Sequence, residues 1–587
     1  MIQLLRYLKK RDGLLILAIL CMIFGQVWFD LKLPDYMSKI TQLVQTEGSA
    51  LSDILYAGGN MLLCALFSLV LAFAVGLCVA KISAGLAMRL RESVYCWTID
   101  FSMEELNRFS TASLITRTTN DITQIQTLTA MGLQAAIKAP VLAVWAVIKI
   151  SGKSWQWTAV TGGAVFLLLM MLGTLIIFAL PKFTIVQRLT DRLNSVTREN
   201  LTGLRVVRAY NAEDYQERKF EEANEELTRT NLFTNRLMSI MNPGMTLIMS
   251  TLTLGVYWVG AYLIESAAIP DKLPLFSDMV VFSSYAMQIV MAFMMLTMSL
   301  IQMPRAVVSA RRINEVLHTS PSIEDGDVMH SELYEQGEIE FQHVTFRYPG
   351  AVENVLHDVN FTAKKGETVA FIGSTGSGKS TLVNLIPRFY DVSDGRILVD
   401  GIDVRDYAQT ALREKISYVP QRAIMFSGTI ASNVTYGQNT DMQVDEEKLS
   451  AAIHCAQADS FVSLLPNNDR APVAQGGVNL SGGQKQRLAI ARAIYRNPEI
   501  LIFDDSFSAL DYTTDRLVRS ALKKQTEGVT TLIVAQRIGT IKDADKIIVL
   551  DQGWVVGQGT HNELLKNCAV YREIAASQLT KEEMNRG

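Results

Sequence analysis

Thr368-Val-Ala-Phe-Ile372-Gly373-Ser-Thr-Gly-Ser-Gly378-Lys379-Ser380-Thr381 joins an apolar run of strand length to a glycine-rich turn that fits G-x-x-x-x-G-K-[ST]. Set between a strand and a helix, such a turn lets backbone N–H groups close around phosphate oxygens at the helix N-terminus. The expected cradle is Ser374, Thr375, Gly376, Ser377, Gly378, Lys379, Ser380 and Thr381. Lys379 is placed to add positive charge at the β- and γ-phosphates of ATP, and the Ser380 hydroxyl to meet Mg2+.

Two further stretches extend this reading. A second apolar strand, Ile500–Phe503, ends in Asp504, where a carboxylate beside a phosphate loop can hold the magnesium shell. Between the two strands lies Leu480-Ser-Gly-Gly-Gln484, followed by an apolar-periodic helix from Lys485. A Ser-Gly-Gly turn at a helix start is a second phosphate-binding device. One domain needs only one, so the second is expected to read ATP held by another domain across a dimer face.

Before about residue 305 the sequence has a different character. A helix rises about 1.5 Å per residue, so roughly 20 apolar residues cross a bilayer core. Five stretches come near that length without a charge: Gly13–Phe29, Ile54–Ala80, Trp157–Leu180, Leu237–Ile264 and Met279–Pro304. A sixth, Met131–Ser151, contains Lys138 and Lys149 and is counted because an even number suits the charge distribution. Basic residues precede the first span and follow the second and fourth, whereas the stretch after the first span is acidic (Asp35, Asp53). The positive-inside bias therefore predicts both termini in the cytoplasm. Long helical patterns over 80–130 and 182–236 suggest that spanning helices continue below the membrane, with tips near Glu104–Ser110 and Leu201–Asn211.

Two features of the spans bear on cargo. Asp30, at the outer end of the first apolar run, either sits among headgroups or binds a cationic substrate. Met287, Met291, Met294, Met295 and Met298 form a broad methionine face on the last span. Such a face is a packing stripe or a pocket wall that adapts to several shapes, and Met287, Met291 and Met295 are the substrate candidates with Asp30.

Composition agrees with this division. The net charge of −3 gives no support for a nucleic-acid partner, and six cysteines without paired spacing read as apolar residues in a reducing compartment. No cleavable signal peptide is evident behind the first apolar run. The domains expected are 1–320, a transmembrane domain, and 321–587, a nucleotide-binding domain.

These motifs closely resemble the ABC transporters, specifically exporter-type half-transporters, over nearly the whole chain. The resemblance implies a multidomain protein. A six-helix all-α transmembrane domain (type I ABC exporter fold) would precede an α/β P-loop nucleotide-binding domain. Tyr348, in Phe346-Arg-Tyr-Pro349, resembles the aromatic residue that stacks on adenine, and Gln421 the glutamine joining magnesium to the membrane domain. Ser481, Gly482, Gly483 and Gln484 match the signature sequence, and Asp511, closing Ser508-Ala-Leu-Asp511, matches the loop that crosses to the partner's site. Glu199–Tyr210 is similar to the second intracellular loop, whose tip docks on a motor domain.

Two positions depart from the family pattern. Asp505 stands where hydrolysing members have glutamate, and Gln536 where they have the switch histidine. Together with an intact signature, this resembles one subunit of a heterodimeric multidrug exporter. Its own ATP site would be slow, and its signature would complete the partner's. The expectation is ATP-driven export of hydrophobic or amphipathic small molecules through the plasma membrane, with a second half-transporter and membrane lipid as partners. A lipid or peptide exporter, an importer of the same architecture, a homodimer and a regulatory ATP-binding subunit are the alternatives.

Overall fold

The computed structural model describes residues 2–46, 49–151, 155–329, 336–437 and 444–579. The chain divides into two compact units, one of residues 1–99 and 111–319, the other of residues 100–110 and 320–587.

The first unit is helical. Its elements are α1 (Lys10–Gln45) and α2 (Leu51–Ile99), and, beyond the short α3 (Met103–Phe109), α4 (Thr111–Thr116) and α5 (Ile122–Ser151). They continue as α6 (Trp155–Thr202), α7 (Leu204–Ala209), α8 (Glu213–Ser239), α9 (Met241–Ser266) and α10 (Ile269–Leu317). Among the described residues, six segments are long and apolar enough to cross a membrane. At 49 residues, α2 and α10 each extend about 73 Å, more than twice a bilayer core. α3 and α7 stand at the two turning points read from the sequence.

The apolar pattern explains the packing. α1 lies against α2 and α10, α5 against α10, and α6 against α8 and α9. Fully buried Ile19, Ile23, Val27, Trp157, Phe282 and Tyr285 form the centre of this bundle. Trp157 donates its indole N–H to the Val256 carbonyl at 3.0 Å, so its polar atom is satisfied inside the bundle. Large residues such as Leu69 and Phe73 on α2 stay exposed, as expected where lipid rather than protein is the solvent.

One element departs from the sequence reading. The first helix does not stop where the charge-free run ends at Phe29. It continues through Asp30, Pro34 and Asp35 to Gln45, so Asp30 and Asp35 are helical residues facing other helices.

The second unit contains two sheets. The antiparallel one runs Leu356–Ala363, Ile339–Phe346, Asp394–Val399, Ile402–Asp403 in spatial order. The larger one has the order Trp554–Gly559, Lys546–Asp551, Thr368–Gly373, Thr530–Val534, Ile500–Asp504, Ile416–Val419. Its last five strands are parallel, and their near-continuous apolar sequences fit burial on both faces. The register pairs Val534 with both Phe371 and Asp504, and Val419 with Phe503. Consequently the turns after Gly373, Val419, Asp504 and Val534 all leave the same carboxyl edge, where ligands bind in open parallel sheets.

α3 belongs to this second unit. Ser102 caps it, and the Glu105 carboxylate accepts from the Ser102 N–H at 2.9 Å and from the Ser322 N–H at 3.1 Å. Farther along α3, Asn107 donates to the Tyr390 hydroxyl at 3.1 Å.

Candidate functional site

At the carboxyl edge the phosphate loop takes the predicted form. Gly378 has φ +94°, and an added Cβ would stand 2.7 Å from Leu356 Cδ2, so glycine is required there on two counts. The helix Lys379–Leu385 follows directly. Lys379 is buried and folds back across the loop, donating to the Gly373 and Ser374 carbonyls at 2.9 and 2.7 Å. Burial holds its ammonium pKa below the ordinary value, against the pull of Asp505 and Asp504. Ser374, Thr375 and Gly376 form the exposed turn, while Ser377 and Thr381 are buried.

Asp504 closes the other side. Ser380 Oγ donates to its Oδ1 at 2.7 Å, and the Tyr418 hydroxyl donates to its Oδ2 at 3.0 Å. The Ser380–Asp504 pair is an all-oxygen donor set of the kind magnesium takes. Tyr418 was not singled out by sequence. It lies three residues before Gln421 on the strand beside Asp504, and only the strand order makes them neighbours.

Asp505 is the unusual residue of the edge. It is buried, with φ +47°, a backbone region that asparagine and aspartate enter more readily than other side chains. Gln421 Nε2 donates to Asp505 Oδ2 at 3.1 Å, and Gln536 Nε2 donates to the same oxygen at 2.8 Å. Burial pushes the Asp505 carboxyl above its ordinary pKa and the Asp504 charge adds to this, while the two amides and Lys379 oppose it. Both departures from the family pattern, Asp505 and Gln536, are therefore in direct contact, and Gln421 joins them instead of the Ser380–Asp504 pair.

Tyr348 is half-buried, its hydroxyl 3.0 Å from Thr381 Oγ1 and its ring edge-on to Tyr390 at 5.3 Å. The signature stands apart from this cluster. Ser481 caps the 14-residue helix Gly482–Tyr495 in a capping box with Gln484, and Ser481 and Gly482 are exposed. Asp511 is likewise exposed and accepts from the Thr514 N–H at 3.0 Å.

In the helical unit, Asp30 is already partnered. Lys138 Nζ lies 3.4 Å from its Oδ2, Ser68 Oγ donates to its Oδ1, and Gln288 Nε2 is 3.5 Å from its backbone carbonyl. An unpaired anion awaiting a cationic substrate is thus not what the helices hold. The second lysine of the weak span is paired too, Lys149 with Asp35 at 2.9 Å. Met287, Met291 and Met295 are all exposed at four-residue spacing on one face of α10, while the Met298 side chain lies outside the described residues.

A bundle of six membrane-length helices followed by a phosphate loop at the edge of a parallel sheet defines an ATP-powered multi-pass membrane transporter. Residues 356–508 match the ABC transporter family, and residues 13–293 match the ABC transporter transmembrane region. An uncharacterized ABC transporter ATP-binding protein of Mycobacterium tuberculosis is 40% identical over 554 residues, covering 92% of this chain and 93% of that relative. The ATP-dependent lipid A-core flippase of Pseudomonas aeruginosa is 31% identical over 520 residues, covering 86% of this chain and 82% of the flippase. The structure of a bacterial Atm1-family ABC exporter with ATP bound superposes with a TM-score of 0.81 at 24% identity, over 97% of this chain and 98% of that one. The chain belongs to the ABC transporter family, as a half-transporter of exporter fold with an ATPase domain.

Proposed function

We propose that this chain is the slow-site subunit of a heterodimeric exporter of amphipathic small molecules in the plasma membrane, with the nucleotide domain in the cytoplasm. Tyr348 stacks on adenine, residues Ser374 to Thr381 hold the phosphates, and Ser380, Asp504 and Gln421 serve magnesium, which when bound offsets phosphate charge. The observation that carries the reading is the convergence of the Gln421 and Gln536 amides on one oxygen of Asp505. An aspartate is shorter than glutamate by one methylene, about 1.5 Å. A general base must come within about 2.6–3.2 Å of the attacking water, and its contribution is typically about 10²–10⁴-fold. Gln536 can donate a hydrogen bond to phosphate but cannot become cationic. ATP at this site therefore outlives a turnover.

The signature, Ser481 to Gln484, with Asp511, completes the site on the partner's phosphate loop, where hydrolysis proceeds. Asp30, Met287, Met291 and Met295 serve the substrate. The test is co-purification with the partner half-transporter, followed by replacement of the partner's catalytic glutamate. Turnover should fall by at least about 10²-fold. Turnover that survives this replacement contradicts the division of labour.

A further inference from the structure

Two ion pairs join α1 to α5, and they are built differently. Asp35 and Lys149 are 2.9 Å apart, and the buried Tyr285 hydroxyl lies 2.7 Å from Asp35 Oδ1 and 2.9 Å from the Leu31 carbonyl. The pair nearer the middle of α1, Asp30 and Lys138, is longer at 3.4 Å, although its side chains are the less exposed of the two pairs. Around it stand buried acceptors with no hydrogen-bond partner among the described residues. Gln26 lies one helical turn before Asp30, on the same face of α1, and is 5% exposed. Its Oε1 has no hydrogen-bond partner among the described residues. Gln288, whose amide nitrogen approaches the Asp30 carbonyl, likewise has an unpartnered Oε1.

A buried acceptor without a donor is costly, so two of them beside the longer ion pair mark a place that lacks a ligand group. The missing group must donate N–H or O–H bonds near Asp30 without leaving Lys138 uncompensated. A simple cation would satisfy Asp30, Gln26 and Gln288 but strand the lysine. An anion would satisfy Lys138 but leave both glutamine oxygens empty and Asp30 with the Ser68 hydroxyl alone. A zwitterion does both. We propose that the Asp30–Lys138 pair receives the headgroup of a phosphoethanolamine-type amphipath, its phosphate on Lys138 and its primary ammonium on Asp30, Gln26 and Gln288. A quaternary ammonium has no N–H to give, so a phosphocholine headgroup fits less well. The exposed methionines of α10, beginning at Met287 beside Gln288, suit the acyl chain.

This rests on the export reading and narrows its substrate class. The test uses the transporter, assembled as isolated, in proteoliposomes with tail-labelled lipids. Phosphatidylethanolamine should cross on ATP addition about tenfold faster than phosphatidylcholine, phosphatidylglycerol or a labelled single-chain alkylammonium. A lysophosphatidylethanolamine arm separates a membrane lipid from a single-chain zwitterion of the same headgroup. Asp30→Asn should shift preference toward phosphatidylglycerol, and Lys138→Gln toward the alkylammonium. The exchanged pair, Asp30→Lys with Lys138→Asp, keeps both charges and should restore the zwitterion over either ion. Equal movement of all headgroups by the unmodified protein overturns the inference while export stands. So does an equal slowing of every headgroup in both single variants. Movement of none of the amphipaths defeats the export reading itself, and the inference with it.

Discussion

Replacing Asp505 by Glu and Gln536 by His together should turn the slow site into a fast one. In the structure both glutamine amides, at 3.1 and 2.8 Å, hold the same oxygen of Asp505. Asp505→Glu extends the carboxylate by about 1.5 Å, the reach a general base needs. The gain available to a well-placed base is about 10²–10⁴-fold, or roughly 3–5 kcal/mol of activation free energy. Neither single change should capture it. Glutamate alone keeps the Gln536 amide on its carboxylate, and Gln536→His alone leaves the base short. Residues sharing one hydrogen-bonded cluster couple by about 0.5–3 kcal/mol, so the double variant should exceed the product of the singles. The assay is single-turnover hydrolysis of labelled ATP by the assembled transporter, with the partner's catalytic glutamate replaced so that only this site reports. If the unmodified site cleaves as fast as the double variant, the geometry at Asp505 does not limit hydrolysis.

Three further outcomes follow from particular contacts. Gly378→Ala must place a methyl 2.7 Å from Leu356 at φ +94°, and equilibrium binding should show loss of ATP from this subunit. Tyr285→Phe removes the hydroxyl shared by Asp35 and the Leu31 carbonyl, which should cost about 1–3 kcal/mol and lower the melting temperature in detergent. Glu105 is drawn upward by burial, but hydrogen bonds from Ser102 and Ser322 outweigh this and hold its carboxyl below the ordinary value. Its contribution is therefore complete above the unfolded carboxyl range and lost as pH falls through the lower folded value. Glu105→Gln should reduce stability at neutral pH by about 1 kcal/mol and flatten the acid limb of a melting-temperature profile. An unchanged acid limb contradicts this.

Much of the nucleotide site was legible because its parts are contiguous in sequence. The run Gly373–Ser380 is contiguous, and Asp504 ends one strand with Asp505 directly after it. What brought them together was strand order, and that is where the sequence fell silent. Tyr418 reaches Asp504 only because two parallel strands are neighbours, and Gln421 meets Asp505 for the same reason. In the helical unit, the charge-free runs located the spans but not the ends of the helices. Asp30 and Asp35 looked like the outer boundary of a span, and Lys138 and Lys149 weakened another. The four residues form two pairs across α1 and α5, so each apparent defect answers the other. The packing of α3 with the nucleotide domain was equally hidden. It rests on Glu105 reaching Ser322 and Asn107 reaching Tyr390, contacts more than 200 positions apart.

The nucleotide recovered from this subunit after the assembled transporter has cycled tests the account most directly. Rapid quenching during steady turnover, with the two subunits separated and their bound nucleotide identified, should yield intact ATP from this chain and ADP from its partner. ADP in equal measure from both would mean that Asp505 works as a base despite its length.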